Sequence, residues 1–205
     1  MTIRLHQGDL PADFSPAHFV AIDTETMGLN PLRDKLCVVQ LSNGDGSADI
    51  VQLNRDSYDA PHLKALLERP DITKIFHFAR FDIAVLKYYL QVDVAPIYCT
   101  KIASKLVRTY TDRHGLKDVC REIAGVELSK QQQSSDWGAA QLSQEQLRYA
   151  ASDVLHLHAA MKGLNAMLQR EGRMELAQSC FEFLPTRATL DLMGWEASDI
   201  FAHMA

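Results

Sequence analysis

Five residues in this 205-residue chain have types and spacings that suit acid-rich metal chemistry. Asp23 and Glu25 stand two apart in Ile22-Asp23-Thr24-Glu25-Thr26-Met27-Gly28, directly after the apolar run Phe19-Val20-Ala21-Ile22. Side chains alternate along a strand, so both carboxylates share one face. At the end of a buried strand such like charges repel unless a cation holds them. Asp82 is the second feature. From Phe81 to Leu90 only Asp82 and Lys87 are strongly polar, so a helix there is mostly buried and its carboxylate needs compensation, from an ion or from a neighbour such as Arg80. Tyr149 and Asp153 are the third. Their i, i+4 spacing puts a phenol and a carboxylate one turn apart on one helix face, an arrangement also common in helices that flank a core.

The elements that must position these groups read as an α/β or α+β chain with five candidate strands flanked by helices. Predicted strands are His18 to Thr24, Lys35 to Ser42, Ala48 to Leu53, Thr73 to Phe78 and Pro96 to Cys99. Asn43-Gly44-Asp45-Gly46 supplies hairpin chemistry between the second and third, and the first three should form an antiparallel meander. Helices are predicted at Pro61 to Arg69, Ala79 to Leu90, Lys101 to Val107 and Leu116 to Ala124, the last stopped by Gly125. Ser143-Gln144-Glu145-Gln146 fits a capping box that opens a long helix running to about Arg170. Gln131 to Ser135 reads as a polar loop. Residues 1–170 would form the catalytic domain and 171–205 a helical extension, which Pro185 and Gly194 break into short pieces.

Bulk properties narrow the class. No segment approaches the roughly 20 uninterrupted apolar residues of a membrane span, and the N-terminus lacks signal-peptide features, so a cytoplasmic protein is expected with no membrane partner. Cys37, Cys99, Cys120 and Cys180 are widely spaced and should be reduced, mostly buried thiols. The net charge of −5 argues against a long, nonspecific nucleic-acid groove. Charge is uneven, however: between Lys101 and Lys130 seven basic residues face four acids, a local +3 against −8 elsewhere. Lys101, Lys105 and Arg108 fall at helical spacing there, as phosphate contacts or as a solvated face.

Asp-x-Glu after a first strand, Phe-Asp after a fourth and Tyr-x-x-x-Asp in a late helix, in that order, resemble the three motifs of the DEDD exonuclease superfamily, tyrosine subclass. Ser135-Asp136-Trp137 followed by Leu142, Gln146, Tyr149-Ala150 and Asp153-Val154 is similar to the ribonuclease D region leading into the third motif, although Ala140-Gln141 replaces a usual Arg-Pro pair. The likeness covers roughly residues 18 to 165. Compact size, Gln131-Gln132-Gln133-Ser134-Ser135-Asp136-Trp137, Phe181 to Pro185 and Gly194-Trp195 look like the nano-RNase C branch.

The resemblance implies a ribonuclease H-like exonuclease fold and metal-dependent 3′-5′ hydrolysis of short single-stranded RNA, or of DNA, with two Mg²⁺ or Mn²⁺ ions. Asp23 would bridge both ions, Glu25 and Asp153 would complete one, Asp82 would hold the other, and Tyr149 would orient the attacking water. The branch also implies a homo-oligomer, an octamer. Thr24, Met27, His77, Phe81, Lys101 and Trp137 are the expected substrate contacts. Met27 follows the first motif where relatives place an apolar wedge against the terminal base, though core packing accounts for it equally well. His77 suits either substrate contact or strand-end packing. His156 and His158, two apart on a helix, face different directions and cannot chelate one ion together.

Overall fold

The computed structural model describes residues 2–128 and 135–203, so Gln131 to Ser134 of the expected polar loop lie outside the described residues. The mixed sheet comprises β1 (Thr2–Gln7), β2 (Phe19–Thr26), β3 (Leu36–Ser42), β4 (Ser47–Gln52), β5 (Thr73–Phe76) and β6 (Ile97–Cys99), in the order β1-β4-β3-β2-β5-β6, and apolar runs build all but β1. β2, β3 and β4 form the expected antiparallel meander, with Gly44 and Gly46 at positive φ in its hairpin. β5 and β6 extend the sheet in parallel beside β2.

The sheet has six strands rather than five. β1, Thr-Ile-Arg-Leu-His-Gln, carries no apolar run because it is an exposed edge paired only with β4. Polar cross-strand contacts hold it: Arg4 donates to Asp49 at 2.7 and 2.8 Å, and His6 Nε2 lies 2.8 Å from the same carboxylate.

The helices are α1 (Pro61–Glu68), α2 (Ala79–Val85), α3 (Thr100–Val107), α4 (Leu116–Val119), α5 (Gln144–Leu155), α6 (Leu157–Arg170) and α7 (Met174–Leu190). α2 and α4 each run on into a π-helical turn, Leu86–Leu90 and Cys120–Ala124. The predicted capping box is present, since Ser143 accepts from the Gln146 N–H while the Gln146 side chain accepts from the Ser143 N–H. The single long helix expected to follow it is instead two, divided at His156. The break lets the two halves serve different partners: α5 lies against β2, β3 and β4, and α6 packs on α3 and the Cys120–Ala124 turn. Gly163 makes the second contact feasible, because a Cβ there would fall 2.4 Å from Ile123 Cγ2.

Of the two breaks expected after residue 171, the one at Pro185 is absent. Pro185 lies inside the 17-residue α7. The missing N–H and ring clash of a mid-helix proline are outweighed by burial of Phe181, Leu184 and Ala188 on the main core. Gly194, with φ of 97°, does end the regular path. Cys37, Cys99 and Cys120 are buried, and all four cysteines are free thiols. Among the described residues no helix is long and apolar enough to cross a membrane.

Candidate active site

Register explains how the acids meet. Asp23 pairs with Gln40 and Glu25 with Val38, and Gln40 in turn faces Ile50, so these side chains share the sheet face on which α5 rests. Trp137, Leu147 and Ala150 pack there against Cys37, Val38 and Ile50, and the same helix thereby turns Tyr149 and Asp153 toward the strand end. A register shift between Glu25 and Thr26 marks a bulge, a device that re-aims side chains beside functional sites. The result is a tight cluster in which carboxylate oxygens of Asp23, Glu25 and Asp153 lie within 4.8 Å of one another.

Asp82 arrives from the other side. It sits in the first turn of α2, buried, where Thr24 Oγ1 donates to its Oδ1 at 2.7 Å. Arg80, the neighbour considered as its partner, pairs instead with Asp191 at 2.5 and 2.7 Å. Asp23 has its own donor, Gln40 Nε2, at 2.7 Å.

Charge in this cluster is costly. Burial, only partly offset by hydrogen bonds from Thr24 and Gln40, raises Asp23 to about 7. Burial followed by the fields of Asp23, Asp153 and Asp82 raises Glu25 to about 10. Asp82 and Asp153 are pushed well above the usual range, in both cases by burial and then by Asp23. Burial and the facing carboxylates of Asp153, Glu25 and Asp23 also raise the Tyr149 phenol. Four acids that repel one another, with all-oxygen donor atoms, fit divalent Mg²⁺ or Mn²⁺.

The cluster opens into a cleft of about 640 Å³ at the carboxyl ends of β2 and β5, and every residue predicted for the site lines it. Met27 is 55% exposed and accepts a 3.4 Å contact from Arg55. Trp137 is buried, stands 6.1 Å from the Tyr149 ring and leaves its Nε1 without a partner. His77 Nδ1 lies 2.8 Å from Thr100 Oγ1, and burial followed by Lys101 lowers its pKa to about 3, so the ring is neutral. Phe81 packs partly on the core. Thr24 lines the cleft with its hydroxyl already bonded to Asp82.

The basic stretch divides. Lys101 and Lys117 reach the cleft, while Arg108 is 1% exposed and bonds Glu122, Ser104 and the Arg113 carbonyl, so neither solvent nor phosphate explains it. Sequence reasoning missed Gln40, whose role depends on strand register. It also missed Phe78 and Arg55. Phe78 takes a left-handed conformation, φ of 70°, uncommon for a non-glycine residue and thus a pointer to a special position. Arg55 donates to the Gly138 carbonyl at 2.8 Å and touches Met27, tying the Trp137 loop to the end of β2.

Comparison with known proteins agrees with this geometry. A family model described as 3′-5′ exonuclease matches residues 9–169, most of the chain. The chain belongs to the 3′-5′ exonuclease family. Ribonuclease D of Acidiphilium cryptum is 36% identical over 157 residues, covering 77% of this chain and 40% of that protein. The chain spans less than half the length of these curated relatives. Solved structures of similar length also match: Brucella melitensis NrnC with bound Mg²⁺ (57% identity, TM-score 0.95) and the same protein bound to pGG (59%, 0.96), each covered over all of both chains. The fold is the ribonuclease H-like exonuclease fold expected from the sequence.

Proposed function

We propose that this exonuclease removes nucleotides from the 3′ end of very short RNA, releasing nucleoside 5′-monophosphates. The observation that carries the reading is the convergence of Asp23, Glu25 and Asp153 within 4.8 Å, with Asp82 and Tyr149 lining the same cleft. Two divalent ions in such a site supply an activated water, charge neutralisation at the phosphate and stabilisation of the leaving oxygen. Asp23, Glu25, Asp153 and Asp82 would hold the ions through their carboxylate oxygens. Tyr149 orients the attacking water with its hydroxyl and assists its deprotonation beside the metal-binding acids. Met27 and Trp137 form the wall against which the terminal nucleotide rests. Similarity over the full chain to a protein solved with pGG supports a substrate of dinucleotide size, as does the net charge of −5, unsuited to a long phosphate track.

We also propose that residues 1–170 form the nuclease domain and that residues after Glu171 assemble the protein into a homo-oligomer, an octamer. Leu176, Met193, Trp195, Ile200 and the 75%-exposed Phe201 leave apolar surface open on that segment. Light scattering at micromolar concentration should give a multimeric mass; a mass near 23 kDa would contradict assembly. The substrate reading is tested with 5′-labelled RNA and DNA oligonucleotides from about two to twenty nucleotides. Fastest turnover is expected on RNA dinucleotides, and equal rates on long DNA would overturn it.

A further inference from the structure

The helix that supplies Asp82 has little of its own to fix where it begins. α2 is seven residues long, starts without a side-chain cap and follows a Phe78 backbone in the left-handed region. Residues two apart on a helix face different directions, and here Arg80 and Asp82 reach opposite ways. Asp82 receives the Thr24 hydroxyl from β2, whereas Arg80 turns to the C-terminal segment, 111 positions away.

The contact on that far side is a closed network. Arg80 Nε and Nη2 donate to the two oxygens of Asp191 at 2.5 and 2.7 Å, and Nη2 also donates to the Glu196 carbonyl at 2.8 Å. Arg187, one turn before Asp191, donates to Asp191 Oδ1 at 2.5 and 2.9 Å and to the Trp195 carbonyl. Asp191 is only 8% exposed. Burial opposes its charge, but the hydrogen bonds from Arg80 and Arg187 outweigh burial and lower its pKa, so it is ionised at neutral pH. A bidentate pair of this kind is directional as well as strong, and taking one partner away leaves buried charge uncompensated. It therefore fixes geometry between α2 and a segment that supplies none of the five active-site groups.

We propose that Asp191 is a positioning residue for the metal-binding acids: through Arg80 it sets the first turn of α2, and with it the placement of Asp82. Thr24 and Asp191 grip that turn from opposite sides, so the C-terminal segment contributes to metal binding without touching the metal. The inference rests on reading the acid cluster as a metal site and extends that reading to residues beyond 170.

Mn²⁺ binding in the absence of substrate, read from the electron spin resonance of the free ion, tests it on the full chain. Asp191→Asn removes the shared carboxylate, and Arg80→Met cuts only the link to α2, leaving Asp191 with Arg187. Asp49→Asn is the control, since it breaks the pairs with Arg4 and His6 at the sheet edge, on an element that carries none of the metal-binding acids. Asp191→Asn and Arg80→Met should each raise the Kd for Mn²⁺ about three- to ten-fold, the size of a coupling carried through one packed contact. The double variant should lose no more than Asp191→Asn alone, because both changes cut the same link. Asp49→Asn should bind as wild type does. A role in stability alone would lower the melting temperatures of Asp191→Asn and Asp49→Asn and leave both Kd values unchanged; that pattern, or a further loss in the double variant, would overturn the proposal. So would a weakened Kd confined to variants whose mass by light scattering falls, because assembly rather than the Arg80 link would then hold the site. Arg80→Met decides the matter if Asp191→Asn does not fold. Failure of the wild-type protein to bind Mn²⁺ would instead remove the metal reading itself, an outcome distinct from the others.

Discussion

Thr24 and Asp82, 58 positions apart in sequence, are joined by a buried 2.7 Å hydrogen bond across the end of the sheet. Asp23 and Glu25 point toward α5, and Thr24, the residue between them, points the opposite way and holds the acid that α2 supplies. A single strand end therefore sets the position of three carboxylates, two directly and one through a hydroxyl. Thr24→Val keeps the shape and deletes the donor, costing the buried carboxyl its side-chain hydrogen bond. The expected cost is about 1–3 kcal/mol of stability together with reduced turnover, and Thr24→Ser should restore both. Denaturant melts and kcat for the three proteins check it, and a Val variant with wild-type stability and rate would contradict the assignment.

Tyr149→Phe should leave fold and metal binding intact while slowing the chemical step by roughly 10²–10⁴, the range for a positioned proton-handling group. KM for a dinucleotide should move much less. Single-turnover rates isolate the effect, and an unchanged rate would show that the phenol plays no part in hydrolysis.

The raised carboxyl pKa values carry a pH signature with a definite sign. Asp23 at about 7 and Glu25 at about 10 hold protons in the folded state that the unfolded chain, near pH 4, has already released. Their contribution to stability is complete below the unfolded values and disappears as pH rises through the folded ones, so protein in chelator should lose stability between about pH 5 and 9. Mg²⁺ replaces the protons, so the stabilisation it gives should grow over the same window. Glu25→Gln should flatten the slope in chelator. Melting temperatures at pH 5.5 and 8.5, with chelator and with Mg²⁺, provide the check; a steeper slope in the Gln variant would contradict it.

Local periodicity made part of the site legible in the amino-acid sequence. Asp23 and Glu25 follow from strand alternation, Tyr149 and Asp153 from helical spacing, and the fold brings all of them with Asp82 into one cleft. What escaped was set by pairing between distant segments. Gln40 donates to Asp23 because β2 and β3 place the two directly opposite, a register no single strand reveals. β1 escaped because its stability comes from Arg4 and His6 meeting Asp49 rather than from an apolar run. Arg108 has the spacing of a surface cation and is instead folded inward by Glu122. Pro185 and His156 show the converse error: local rules for helix breaks yielded to tertiary packing at the first and missed the break at the second.

The most direct test is hydrolysis of a 5′-phosphorylated RNA dinucleotide by wild-type protein, Asp23→Asn and Asp82→Asn, each in Mn²⁺ and in chelator. The wild-type protein should release nucleoside 5′-monophosphate in Mn²⁺ alone, and both Asn variants should be inactive yet folded, with stability in chelator at or slightly above that of wild type because an amide replaces a buried carboxyl whose charged form is disfavoured. Near wild-type turnover by either variant in Mn²⁺, or undiminished cleavage in chelator, would contradict a metal-dependent site built on these carboxylates.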